Sequence, residues 1–93
     1  MTTSPYIPID CDQHSVLELL AMRRARVSLR ARDEAGFELT LLGVIEDVLT
    51  RSGAEYLVLR DRTACEHSIR LDRLEALFDE TGGLLWRQKT GGP

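Results

Sequence analysis

The residues with chemical potential gather near the start of the chain, in the stretch YIPIDCDQHSVLELLAM from Tyr6 to Met22. Asp10, Cys11, Asp12 and His14 are metal-ligand types, and Cys65 with His67 would complete a Cys₂His₂ set for zinc. The spacings C-x-x-H and C-x-H are not those of a common zinc module, and the two halves fall on different elements, so no metal is expected. Asp12, His14 and Ser15 are the types used for acid–base and nucleophilic work. Residues so close along one helix start do not converge on a substrate as nucleophile, base and orienter must. The chain also lacks a Gly-rich phosphate loop and a G-x-S-x-G elbow. It therefore reads as a protein without enzymatic activity and without a cofactor. Capping accounts for the cluster more simply. Asp12 can accept a free amide of a first helical turn, and Ser15 with Glu18 three residues on makes a capping box.

A second group is basic. Arg23, Arg24, Arg26, Arg30 and Arg32 crowd residues 23 to 32 without an acid among them. Arg26, Arg30 and Arg32 would share one face of a strand and line up against phosphates. Against that reading stand the acids of neighbouring segments, Glu38 especially, because opposite charges across strands keep a solvated sheet face neutral. Few aromatic residues are present as stacking platforms, and the formal net charge is −3. Acids alone mark residues 1 to 22, and acids return at Asp33, Glu34, Glu38, Glu46 and Asp47. Patches of both signs favour a charged protein partner over direct nucleic-acid binding.

The elements that must position these groups follow from periodicity. Ser15 to about Arg24 reads as a short amphipathic helix, with Val16, Leu19 and Leu20 at i, i+3 and i+4 and Leu17 and Met22 widening the stripe. The period then changes to two. RVSLRARD alternates Val27, Leu29 and Ala31 with its arginines, and a turn at Asp33 to Gly36 leads into FELTLLGVIEDVLT, where Gly43 marks a bulge or sharp bend. EYLVLRDR is apolar on both faces, as a central strand is. ACEHSIRL puts Cys65, His67, Ile69 and Leu71 on one face. LDRLEALF suits helix or strand, with strand preferred, and LLWRQK is the last strand. The sum is mainly β, a small and strongly bent antiparallel sheet tending to an open barrel, with a short N-terminal helix.

The chain of 93 residues is a single domain over 1–93, with about 1–5 and 90–93 expected to fray. Apolar content of 43% and charged content of 29% are those of a soluble protein, and no run reaches the roughly 18 residues a membrane span needs. No secretion signal is visible, so a cytoplasmic location is expected. There Cys11 and Cys65 would be free thiols, packed as small apolar groups.

Tyr6-x-Pro8-Ile9-x-Cys11-Asp12, then Leu17-Glu18-Leu19, Glu55-Tyr56-Leu57-Val58 and Ile69-Arg70-Leu71-Asp72 resemble, in order and spacing, the Rof-type Rho-binding antiterminators of bacteria. The resemblance runs from about Tyr6 to Phe78. It implies an Sm-like fold and a partner, the hexameric termination factor Rho, met by this chain as a monomer. It further implies docking on Rho's N-terminal RNA-binding region, which would keep transcript away and inhibit Rho-dependent termination. Carried over by position, Asp12 and Glu18 are the Rho-facing carboxylates, with Asp10 and His14 beside them. Gln13, His14 and Ser15 stand where the resemblance leads one to expect acidic and aromatic side chains. The alternative is an Sm-like RNA-binding protein using Arg26, Arg30 and Arg32.

Overall fold

The computed structural model describes residues 5–89, so the termini expected to fray lie outside the described residues except for Pro5. Helix α1 (Cys11–Met22) precedes β1 (Arg26–Arg32), β2 (Glu38–Arg51), β3 (Ala54–Asp61) and β4 (Glu66–Arg70). A 3-10 turn (Leu71–Arg73) then leads to β5 (Leu74–Phe78) and β6 (Leu84–Arg87). The ambiguous LDRLEALF thus divides, its first residues making the turn and the rest a strand. All six strands form one antiparallel sheet in the order β4-β3-β2-β1-β5-β6. With β4 and β6 as its edges the sheet is open and not closed into a barrel.

Strand β2 is long enough to serve both halves of the sheet. Gly43 faces Val27 on β1 and Asp61 on β3, and a Cβ there would fall onto the carbonyl oxygen of Arg60. Only glycine allows so close an approach of two backbones. The bulge itself comes three residues later. Ile45 pairs with Leu59 and Asp47 with Val58, which leaves Glu46 as the extra residue.

Three hairpin turns are built the same way. Asp33 Oδ1 accepts from the amides of Ala35 and Phe37, Asp61 Oδ1 from those of Thr63 and Cys65, and Asp79 Oδ1 from those of Thr81 and Gly83. Thr63 and Thr81 add a hydroxyl to the same oxygens, both at 2.7 Å. Such Asx turns satisfy backbone donors locally. His67 first, and then Thr63, hold the Asp61 carboxyl below the usual range; Thr81 first, and then the Gly83 amide, do the same for Asp79.

The core lies between α1 and the inner face of the sheet. Leu17 and Leu20 from the helix meet Val27, Leu29, Ile45, Leu57 and Leu59, and Leu74, Leu77 and Trp86 extend the cluster. The helix departs from the periodicity expected of it. Val16, Leu19 and Met22 are 40%, 46% and 82% exposed, so only Leu17 and Leu20 of the anticipated stripe face inward. The apolar positions run too far around the helix for all to reach one sheet, and docking on β2 and β6 selects the two on the Gln13 side.

Both cysteines are free, as expected, but both are exposed and neither packs in the core. For Cys65 the reason is its place in the β3–β4 turn, ahead of an edge strand.

Candidate functional site

The helix starts at Cys11, and its N-cap is Asp10, whose Oδ1 accepts from the Gln13 amide at 2.8 Å. Asp12 as the cap and Ser15–Glu18 as a capping box are therefore corrected, because both lie inside the helix. The first turn is fixed from the far end of the chain. The Trp86 indole donates to the Gln13 carbonyl at 3.1 Å, the Gln13 side chain donates to the Arg87 carbonyl, and Lys89 Nζ lies 3.2 Å from Asp10 Oδ2. The Gln13 amide first, and the Lys89 ammonium next, hold the Asp10 carboxyl below the usual range.

His14 sits between two glutamates. Its Nδ1 is 3.3 Å from Glu18 Oε1 and its Nε2 is 2.6 Å from Glu55 Oε2, an ion-pair approach lying off the axis a hydrogen bond needs. Glu55 also accepts from the Tyr6 hydroxyl at 3.2 Å. Burial, and then the nearby Glu55 charge, push the Tyr6 phenol up to about 12. The Arg70 guanidinium lies over the Tyr6 ring at 5.9 Å and binds Asp72 through two bonds, while Asp72 accepts from the Ile7 amide at 3.0 Å. The segment before the helix is thus strapped to β3, β4 and the 3-10 turn, and it presents the helix start at a set angle.

The four acidic-surface candidates do not stand alike. Asp10 is engaged with Lys89, and His14 is largely covered between its glutamates. Asp12 is an exposed acid of the first turn with no cationic side chain against it among the described residues. Glu18 is 57% exposed and among the described residues meets only His14. A carboxylate in the first turn gains from the positive end of the helix dipole while remaining open to a partner.

The basic candidates are matched with acids. Arg26 meets Glu80 at 3.1 Å, Arg30 meets Glu38 at 4.0 Å, and Arg32 meets Glu75 at 2.9 Å. Glu38 lies opposite Arg32 in register but pairs diagonally with Arg30.

Among the described residues no three His, Cys, Asp or Glu side chains converge as metal ligands. The zinc set considered above is dispersed: His67 is bound to Asp61 at 2.8 Å, His14 to its glutamates, and Asp10 to the helix cap. Glu55 and Tyr6, which orient His14, carry no role in the residue pattern taken alone. Their signal was the i, i+4 pairing of His14 with Glu18, which leaves one imidazole nitrogen needing a partner from elsewhere.

The molecule is a small open β-sheet carrying one helix, with the carboxylates of Asp12 and Glu18 exposed on that helix. The family described as "Modulator of Rho-dependent transcription termination (ROF)" matches residues 8–83. The chain belongs to that family of termination modulators, which is not a family of enzymes, and Rho is the partner this implies. The structure of "YaeO bound to Magnesium from Vibrio cholerae O395" is similar in fold. It matches with a TM-score of 0.58 and 22% identity, over 69% of this chain and 78% of that one. No curated protein matches the chain. No helix among the described residues is long and apolar enough to cross a membrane.

Proposed function

We propose that this chain binds the N-terminal RNA-binding region of Rho and keeps transcript from it, inhibiting Rho-dependent termination. The observation that carries the reading is the contrast in charge pairing. Among the described residues Asp12 meets no cationic side chain and the exposed Glu18 meets only His14, whereas Arg26, Arg30 and Arg32 each face a carboxylate. Carboxylates on a basic RNA-binding surface use the complementarity that phosphates would otherwise use. The step is electrostatic and steric competition, by one copy of this chain per binding region, and no bond is made or broken. Asp10 and His14 support it indirectly, the first by starting the helix and the second by holding Glu18.

Direct RNA binding through Arg26, Arg30 and Arg32 is the weaker reading, because phosphates would first have to displace Glu80, Glu38 and Glu75. The test is size exclusion of the chain with Rho, together with RNA-stimulated Rho ATPase. Co-elution and loss of the stimulated activity are expected. Undiminished RNA binding by Rho at saturating protein would refute the reading. Tight binding of single-stranded RNA without Rho, weakened steeply by salt, would establish the other.

A further inference from the structure

Between α1 and β2 lies a groove of about 450 Å³, lined by Glu18 and Met22 from the helix, by Glu46, Asp47 and Val48 from the strand, and by Arg24. The bulge at Glu46 makes it. Without the extra residue Asp47 would follow Ile45 onto the buried face, since positions two apart share a face. With it, Asp47 is exposed and Val48 packs against the core instead. Glu46 is committed to Arg24 and Arg60, each at 3.1 Å. Asp47 accepts only from the amide of its neighbour Val48 and meets no cation among the described residues. Two carboxylates therefore face the groove with little to neutralise them, Asp47 with no cation among the described residues and Glu18 with His14 alone.

The second component is apolar. Val16, Leu19 and Met22 form an exposed stripe at i, i+3 and i+6, and Met22 belongs to both the stripe and the groove. An exposed aliphatic stripe bordering a carboxylate groove matches a side chain with an aliphatic stem and a charged head. The lining carries three carboxylates against one guanidinium, so the head must be cationic.

We propose that the groove seats an arginine or lysine side chain of the partner. Its stem lies along Met22 and its charge between Glu18 and Asp47, while an apolar flank of the same partner segment covers Val16 and Leu19. The proposal rests on the Rho-binding reading above. It adds strand β2, through Asp47, to an interface otherwise confined to the helix start.

The experiment is fluorescence anisotropy of the labelled full chain titrated with Rho, with thermal melts of every variant alongside. Asp47→Lys is expected to weaken binding about tenfold, and Asp47→Asn and Met22→Ser about threefold each, with unchanged melts. Where Asp47→Lys melts early, Asp47→Asn decides, because it keeps an acceptor for the Val48 amide. Wild-type binding that falls with Asp12→Lys but is unaltered by all three groove variants would overturn the proposal and leave the function standing. No binding by the wild-type chain would remove the function, and the proposal with it. Groove variants that alter self-association without Rho, and not affinity for Rho, would give the groove to a second copy and also overturn the proposal.

Discussion

His14 on α1 lies 2.6 Å from Glu55 on β3, and this contact ties the helix start to the opposite edge region of the sheet. Glu55 in turn holds Tyr6, so one carboxylate fastens both the helix and the segment before it. A double-mutant cycle of His14→Ala and Glu55→Gln, read by urea unfolding, should give a coupling of about 1 kcal/mol. Additive losses in the double variant would show that the two side chains do not fasten the helix to the sheet.

Charge reversal separates the two faces. Asp12→Lys with Glu18→Lys should abolish inhibition of Rho, whereas Arg26→Glu with Arg30→Glu should leave it intact, since those arginines are already paired. RNA displacement from Rho is the measurement. The reverse pattern would move the site to β1.

The phase of the helix is checked by truncation. Leu17→Ala should cost about 3 kcal/mol, because the side chain is fully buried, while Leu19→Ala should cost less than about 0.5 kcal/mol. Denaturant midpoints with an unchanged slope would report this directly. Comparable losses at both positions would contradict the rotation of the helix described here.

Tyr6 supplies an alkaline signature. Its phenol is raised from 10.0 to about 12, so the fold favours the neutral form. The stability this contributes is fully present below pH 10, where the unfolded phenol would also be neutral, and is lost as pH rises through about 12. Stability of the wild type relative to Tyr6→Phe should be constant up to about pH 9 and then decline. Ultraviolet titration of tyrosinate should show one phenol ionising late, and that late step should vanish in Tyr6→Phe.

The alternating segments were legible because a sheet with one buried face imposes a period of two. Val27, Leu29 and Ala31 fall inside and the arginines outside, as their order predicts. Gly43 was legible as a break in the strand pattern, expected to mark a bulge or bend, but its actual reason, the Arg60 carbonyl that excludes a Cβ, comes from another strand. The turn at Asp33 was legible from its Asp and Gly, whereas Asp61 was read within the strand EYLVLRDR, although its carboxylate closes the same local hydrogen bonds. The helix start was not. Asp10 and Asp12 both suit a cap, and the polar Asp12 to Ser15 stretch has no apolar period to mark its first turn.

Composition and period by themselves determined a mainly β domain with an N-terminal helix, and the ordered motifs pointed to the family, because these depend on local geometry and residue order. Tertiary structure alone decided which carboxylates remain open. Asp10 is drawn to Lys89 and Glu46 to Arg24 and Arg60, while among the described residues Asp12 and Asp47 meet no cationic side chain and Glu18 meets only His14. The bulge at Glu46 and the docking of Gln13 on β6 bring together groups distant in the chain, and a charge is neutralised by what lies near it in space.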